Sequence, residues 1–428
     1  MTAQTTSGQS SATRMPAIKV PAGMTFLGLA LGLGAGWLLR TTPAAAPILA
    51  VAGPVGKLWL QALTMTILPL VAGLLFTGVV ETIAAARAGA MARRTLVLIL
   101  GVLAASALIG GLLTPLLLQL SPVPAGAAAA IGAQSADPGP VPSMGDFLTS
   151  LIPSNIVAAA GASAMLPVIV FFSLLAVAST RLADEPRRTL AMVFEGLAGA
   201  MMVVIGWVLA VAPIGVFGLA FGVAAGSGGA AIGALAHYIV IVASVGGVVF
   251  LGGYLLAVVV GKRSLFTFAR AMLPAQTVAL STQSSLASLP AMLVSCRQLG
   301  LRENTAEFSL PLATALFRAT GPGMNMAVAV YAAHLTGVTL SPMVLAAGIL
   351  TAFATTFGAV SLPGAISFVT SVGPVAIAMG VPVEPLALLV AVEMLPDLMR
   401  TIGNVTMDVA ITSVVDRLDG EAAVETVH

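Results

Sequence analysis

Residues 383–415 read VEPLALLVAVEMLPDLMRTIGNVTMDVAITSVV, an apolar run of helix length. Within it lies a small set of ionisable and amide side chains: Glu393, Asp397, Arg400, Asn404 and Asp408. At about 100° per residue, these five side chains fall within a stripe about 80° wide on one face of a helix. We call them the polar stripe, and they indicate a face that lines a cavity or packs against polar groups.

The charges of the polar stripe need an explanation, because ionisable residues at membrane depth are costly and usually functional. One alternative is that they form ion pairs that only hold helices together, and Arg400 with Asp397, three residues away, fits that alternative. It leaves Asp408, two turns from Arg400, in need of its own cation. We therefore interpret the stripe as part of a solute site.

Composition places the whole chain in a membrane. Of its 428 residues 58% are hydrophobic and 8% are charged, and the mean hydropathy is +1.06. A soluble domain carries about 25% charged residues, so this surface is expected to face lipid. Aromatic residues make up 5% and short apolar–polar alternation is missing, which favours helices over a barrel. The single cysteine, Cys296, excludes an internal disulfide framework.

Apolar segments and charge predict the course of the chain. Residues 1–22 form a cytoplasmic tail without a signal-peptide core. With this end inside, alternating crossings and two re-entrant hairpins place most basic residues in the cytoplasm. Arg40 and Lys57 then lie outside, while Arg318 and Arg400 lie within the membrane. The predicted apolar helices before residue 262 are 23–39, 58–86, 95–120, 163–180, 190–225 and 231–261.

Beyond residue 262 two broken segments resemble each other. One contains SSLASLPAM, residues 284–292, and the other GAVSLPGAI, residues 358–366. Both place small residues before Ser-Leu-Pro. Paired interrupted hydrophobic segments are typical of a transporter site built from half-helix ends. Two simply kinked helices are the alternative reading.

Together these features resemble the dicarboxylate/amino acid:cation symporters, the family that includes the excitatory amino acid transporters. The resemblance covers nearly the whole chain. It is carried by the two hairpin tips, by the pattern DLMRTIGNVTMD at 397–408, by PIGVFGLAFGVAA at 213–225 and by IPSNIVAAAGASAMLPVIVFF at 152–172.

The resemblance implies an all-α membrane fold. It comprises eight transmembrane helices and two re-entrant hairpins in inverted repeats, and it assembles as a homotrimer. Residues 23–261 would form six helices, mostly scaffold, with the third and sixth in the transport domain. Residues 262–417 would form the core of that mobile domain, which slides like an elevator. Residues 418–428 would be a cytoplasmic tail.

The resemblance also implies roles for site residues. Asp397 would hold the amino group of the substrate and Arg400 its side-chain carboxylate, a pairing that suits the guanidinium fork. Polar contacts to the main-chain end of the substrate would come from Thr401 and Asn404. The hairpins would close the pocket through Ser285, Leu362 and Gly364. This set favours L-aspartate or L-glutamate over succinate, which has no ammonium group for Asp397.

One family motif is altered here. The sodium-binding Asn-Met-Asp-Gly-Thr of the seventh helix falls on residues 317–321, where Phe317 and Ala319 replace the ligating side chains. Arg318 is gained in the same motif, and Gly321-Pro322-Gly323, which follows at once, predicts a broken helix. We expect its guanidinium to pair with Asp408, so that Arg318, Asp408 and Asn404 mark a cation site or its replacement. Transport would then be sodium-independent.

The charge balance suggests a coupling ion. Glu393, Asp397 and Asp408 are acidic, while Arg318 and Arg400 are basic, so an acidic substrate adds to a net negative site. A proton should accompany it, and Glu393 is the candidate carrier because burial favours the neutral acid. H+ is expected rather than Na+, and no cofactor or resident metal is expected.

Other classes remain to be weighed. A proton- or sodium-coupled C4-dicarboxylate symporter is the first alternative, and a channel or non-transporting sensor on this scaffold is the second. An enzyme is not expected, because the chain has no Gly-x-Ser-x-Gly, histidine cluster or phosphate loop. The expected partners are a small acidic solute, the lipid bilayer and two further copies of the chain, without nucleic acid. The expected location is the inner membrane, with both termini cytoplasmic.

Overall fold

The computed structural model describes residues 21–124, 126, 144–227, 230–358 and 364–425. Within these ranges all regular secondary structure is helical. The first nine helices are α1 Ala22–Leu39, α2 Ala45–Thr64, α3 Ile67–Ala86, α4 Ala90–Leu120, α5 Met144–Ser150, α6 Ile156–Gly161, α7 Met165–Ser179, α8 Asp184–Ala210 and α9 Ala212–Ser227. The next nine are α10 Ala230–Val259, α11 Leu265–Thr282, α12 Leu289–Gln298, α13 Glu303–Leu316, α14 Gly321–Thr336, α15 Pro342–Thr355, α16 Gly364–Ala378, α17 Leu386–Val392 and α18 Met394–Glu425.

Several helices have the length and apolarity of membrane spans. In the described ranges the candidate spans are Ala45–Ala86, which contains both α2 and α3, and the helices Ala90–Leu120, Asp184–Ala210 and Ala230–Val259. Shorter apolar helices accompany them, among them α7 and α15. Backbone groups in lipid must find their partners within the protein, and helices satisfy this requirement. The architecture is therefore consistent with a multi-pass membrane protein.

Small residues let α1 lie almost in backbone contact with α9. Gly28, Gly32 and Gly36 recur every four residues on one face of α1. A Cβ on Gly32 would lie 2.7 Å from the carbonyl oxygen of Phe217, and the other two glycines meet α9 carbonyls in the same way. Such spacing of small residues is how apolar helices pack closely where lipid supplies no hydrophobic driving force.

Helices from both halves of the chain surround α18. It packs against α4, α10, α11, α12 and α13, and nearly all its residues between 397 and 416 are buried. The faces away from the polar stripe are thus covered by protein and not by lipid. Two pairs of helices in mutual contact, α11 with α12 and α15 with α16, follow one another in the C-terminal half of the chain.

Three predicted segments are interrupted where one helix was expected. The breaks fall at 65–66, at Val211 and at Glu393. Each lies two to four residues before a proline, namely Pro69, Pro213 and Pro396. Proline has no N–H to continue the helical ladder and its ring crowds the preceding turn, which explains the breaks. Segments 58–86 and 190–225 are therefore two helices each, and the segment holding the polar stripe divides into α17 and α18.

Candidate functional site

The site forms where the chain unwinds between α13 and α14. Residues 317–320 are not helical, and α14 begins at Gly321 with Thr320 as its N-cap residue. Phe317 and Ala319 are buried and offer no polar side chain. The interruption expected in this motif is present, and its free backbone groups must be satisfied by neighbours.

Asn404 satisfies part of this unwound stretch. Its Oδ1 accepts hydrogen bonds from the backbone N–H of Thr320 at 2.9 Å and from the Thr320 hydroxyl at 2.8 Å. The same hydroxyl lies 3.1 Å from the carbonyl oxygen of Arg400. The break in one helix is therefore docked onto the polar stripe of another.

Arg400 is the hub of the site and is 3% exposed. Its Nη2 donates to Glu393 Oε1 at 2.6 Å, its Nη1 donates to Asn325 Oδ1 at 3.0 Å, and its Nε lies 3.2 Å from Asp397 Oδ1. On its other oxygen, Oε2, Glu393 accepts a hydrogen bond from the hydroxyl of Tyr238 at 3.1 Å. Buried charges are tolerated only when paired and hydrogen-bonded in this way.

Asp408 lies deeper, at the other end of the stripe. It is fully buried, and Thr314 Oγ1 lies 3.4 Å from its Oδ2. Its Oδ1 has no hydrogen-bond partner among the described residues. A buried carboxyl in this position needs a proton or a cation to avoid a large desolvation cost.

The expected ion pair between Arg318 and Asp408 is not formed. The ion pairs of the described residues do not include it. Asp408 Oδ2 lies 3.4 Å from Thr314 Oγ1 instead, a contact that sequence spacing alone could not foresee.

The remaining predicted residues are placed as follows. The hydroxyl of Thr401 donates to the carbonyl oxygen of Asp397 at 2.8 Å, which leaves its lone pairs to accept from a ligand. Ser285 lies in the turn between α11 and α12 and is half-buried. Gly364 is the first residue of α16, and Leu362 lies outside the described residues.

Sequence reasoning missed three residues that hold the site together: Tyr238, Thr320 and Asn325. Each is a buried polar residue on an apolar or unwound segment away from α18. The polarity of Asn325 within the apolar run of α14 was the available signal. The role of Asn325 depends on its contact with Arg400, which lies far away in the sequence, and the spacing of residues within one segment does not predict such contacts.

A comparison with protein families decides the relationship. The model of the sodium:dicarboxylate symporter family matches residues 22–418. The chain belongs to this family. Its members are transporters of small solutes, and the resemblance found in the sequence is confirmed.

Individual relatives include transporters named for acidic solutes. The chain is 26% identical to the proton/sodium-glutamate symport protein of Bacillus subtilis (strain 168), over 92% of each chain. It is 29% identical to the proton/glutamate-aspartate symporter of Escherichia coli (strain K12), over 61% of this chain and 59% of that one. It is 25% identical to a C4-dicarboxylate transport protein of Rhizobium etli, over 86% of this chain and 83% of that one.

Proposed function

We propose that the protein is a secondary active transporter of an acidic amino acid, L-aspartate or L-glutamate, and that it works without sodium. The observation that carries this proposal is the buried guanidinium of Arg400 between Glu393 and Asp397. Membership in the sodium:dicarboxylate symporter family supports transport of an acidic solute. The names of the Escherichia coli and Bacillus relatives favour amino acids.

The geometry suggests how such a solute is recognised. Arg400 presents a planar fork that matches a side-chain carboxylate in two hydrogen bonds. Asp397 supplies the negative charge for an ammonium group, and Thr401 offers acceptor lone pairs beside it. Since Asn404 uses its amide oxygen on Thr320, its NH2 group is left to donate to a main-chain carboxylate.

Glu393 competes with the solute for Arg400. Its carboxylate already takes Nη2, which a substrate carboxylate would need. Protonation of Glu393 weakens this ion pair and frees the guanidinium. Binding of an acidic solute would therefore draw a proton onto Glu393, which is the basis we propose for proton coupling. Asp408, whose Oδ1 has no hydrogen-bond partner in the described part of the chain, is the second candidate carrier.

Arg318 is proposed as a fixed cation that makes a sodium ion unnecessary. It would supply positive charge beside the polar stripe, since the unwound stretch that carries it is held against α18 by the hydrogen bonds of Thr320 to Asn404. The unwound residues beside it, Phe317 and Ala319, carry no side-chain oxygen for a cation. The Asn404 side-chain oxygen is occupied by Thr320, which removes a further ligand.

The architecture proposed for transport has eight membrane-spanning helices and two re-entrant hairpins, α11–α12 and α15–α16. The mobile part would comprise residues 262–417 with the third and sixth crossings, moving as an elevator against the scaffold of a homotrimer in the inner membrane. Both termini would be cytoplasmic.

A C4-dicarboxylate symporter is the second candidate, favoured by the name of the Rhizobium etli relative. Counterflow distinguishes the candidates: proteoliposomes loaded with unlabelled solute are diluted into labelled L-aspartate, L-glutamate or succinate. We expect saturable exchange of the amino acids and much weaker exchange of succinate. A preference for succinate would establish the dicarboxylate alternative, and flux that neither saturates nor exchanges would indicate a channel. Absence of flux with every solute would indicate a sensor.

A further inference from the structure

Thr320 stands at the unwound turn between α13 and α14 and is fully buried. It makes both of its donor groups available to one atom, Asn404 Oδ1, at 2.9 Å from the backbone nitrogen and 2.8 Å from the hydroxyl oxygen. A backbone N–H can only donate, so the atom facing it must be the amide oxygen and not the amide nitrogen. The orientation of the Asn404 amide is therefore fixed by Thr320.

The fixed orientation has a chemical consequence. The Asn404 amide oxygen accepts from the backbone N–H of Thr320, and it shares the single hydroxyl hydrogen of Thr320 with the carbonyl oxygen of Arg400, which lies 3.1 Å from that hydroxyl. With its oxygen turned toward these donors, the Asn404 side chain presents its Nδ2 donors to a ligand. It suits an anionic group, such as a carboxylate, better than a cation.

The position of Thr320 is itself determined by packing. A Cβ added to Gly403 would lie 2.4 Å from Thr320 Cγ2, so the methyl group fills the space that Gly403 leaves open on α18. The backbone carbonyl of Thr320 accepts from the N–H of Met324 at 3.0 Å, in the first turn of α14. The methyl group, the hydroxyl group and the backbone of Thr320 together fix the position of the turn along the polar stripe of α18.

We infer that Thr320 is a positioning residue, which turns the Asn404 amide so that it donates to the main-chain carboxylate of the transported amino acid. The inference rests on the proposed function for its substrate. It assigns Asn404 to solute recognition and excludes its side chain from the cation site.

Paired substitutions separate the hydroxyl from the methyl group. Thr320→Val keeps the shape and removes the hydroxyl donor, while Thr320→Ser keeps the hydroxyl and removes the methyl. In proteoliposomes Thr320→Val should raise KM for L-aspartate about 3- to 10-fold, the range expected for one hydrogen bond, and leave kcat nearly unchanged. Thr320→Ser should remain within about 2-fold of the unsubstituted protein on the same argument.

A second pair tests the packing. Gly403→Ala should raise KM because its new methyl displaces Thr320, and adding Thr320→Ser should restore KM whereas adding Thr320→Val should not. Gly199→Ala is the matched control, since nothing lies within 4 Å of its added Cβ.

The readout specific to positioning is the preference for L-aspartate over its α-amide, isoasparagine. Thr320→Val should reduce that preference, because the backbone N–H of Thr320 is then the one Thr320 donor that still holds the Asn404 amide, which turns more readily to present its oxygen. Unchanged KM and unchanged preference in Thr320→Val, with uptake by the unsubstituted protein intact, would overturn the inference alone. Absence of acidic amino acid uptake by the unsubstituted protein would instead overturn the proposed function. In that case the Thr320–Asn404 contact is still measured, by non-additive melting temperatures of Thr320→Val and Asn404→Ala.

Discussion

Glu393 Oε1 and Arg400 Nη2 lie 2.6 Å apart in a buried ion pair, two turns from each other along the chain. Tyr238 from α10 and Asn325 from α14 complete the pair with hydrogen bonds to Glu393 and Arg400 respectively. The pair thus joins three helices at one point. It also occupies the group that an incoming carboxylate would use.

Glu393→Gln should abolish stimulation of L-aspartate uptake by a pH gradient. The neutral amide cannot take up or release a proton, and it competes less strongly for Arg400, so KM should also fall. Uptake is measured in proteoliposomes with and without an inward proton gradient. Asp184→Asn is the control, because its ion pair with Arg187 is 76% exposed on the aspartate side and lies far from the site. Undiminished proton stimulation in Glu393→Gln would exclude Glu393 as the carrier and direct attention to Asp408.

Tyr238→Phe should alter the pH dependence of uptake, because Glu393 loses the donor on its Oε2. Removing a buried donor should also lower the free energy of unfolding by about 1–3 kcal/mol. Tyr331→Phe is the matched control, since the Tyr331 hydroxyl donates to the Ala234 carbonyl at 3.0 Å, lies 3.1 Å from His237 Nδ1 and makes no hydrogen bond to Glu393. Both variants should have a lower melting temperature, but only Tyr238→Phe should change the pH dependence of uptake. The same pH dependence in both variants would contradict a role for Tyr238 in setting the protonation of Glu393.

Arg400→Lys should raise KM for L-aspartate by about 30-fold or more. An ammonium cannot reproduce the planar fork, and it leaves Glu393 and Asp397 poorly paired, a loss of about 2–5 kcal/mol for a buried charge pair. Concentration dependence of counterflow measures the effect. Arg297→Lys, in an ion pair with both side chains more than 60% exposed, should change KM less than 2-fold by the same reasoning. Near-normal uptake by Arg400→Lys would remove Arg400 from the substrate site.

Asp416→Asn should destabilise the C-terminal bundle. Asp416 Oδ1 accepts from the backbone N–H of Arg302 at 3.1 Å and from its Nε at 2.9 Å, and Arg263 Nη2 lies 3.4 Å from Oδ2. Because both arginines are partly exposed, we expect a loss of about 1–3 kcal/mol. Melting of the solubilised protein measures it, with Glu303→Gln in the exposed Arg297 pair as a near-neutral control. Equal shifts in the two variants would show that Asp416 does not join α18 to the neighbouring turns.

The elements that sequence reasoning found are those with local signatures. The polar stripe follows from the period of one helix, and the interruption at 317–320 follows from the Gly-Pro-Gly that comes after it. Proline was a weaker guide. Pro69, Pro213 and Pro396 follow breaks, whereas Pro54 and Pro115 lie inside α2 and α4. Whether a helix tolerates a proline depends on neighbouring helices, which a single chain segment does not reveal.

Partners across helices were the part that could not be predicted. Arg318 is adjacent in sequence to the altered motif, and pairing it with Asp408 was reasonable from charge alone. The ion pairs of the described residues do not include that one, and Asp408 Oδ2 lies 3.4 Å from Thr314 Oγ1. Thr320 donates to the Asn404 oxygen that a cation would need, and Asn325 accepts a hydrogen bond from Nη1 of Arg400. Which side chains pair depends on the position along α18 at which the unwound residues pack. A shift of less than one helical turn would change these partners.

We propose that this member of the sodium:dicarboxylate symporter family moves an acidic amino acid without sodium. Uptake of labelled L-aspartate into proteoliposomes under a sodium gradient, a proton gradient or neither tests this proposal directly. We expect saturable uptake that does not depend on sodium and is raised by an inward proton gradient. Uptake that requires sodium would contradict it, since a cation site would then have to survive near Asp408 despite Phe317, Ala319 and the occupied oxygen of Asn404.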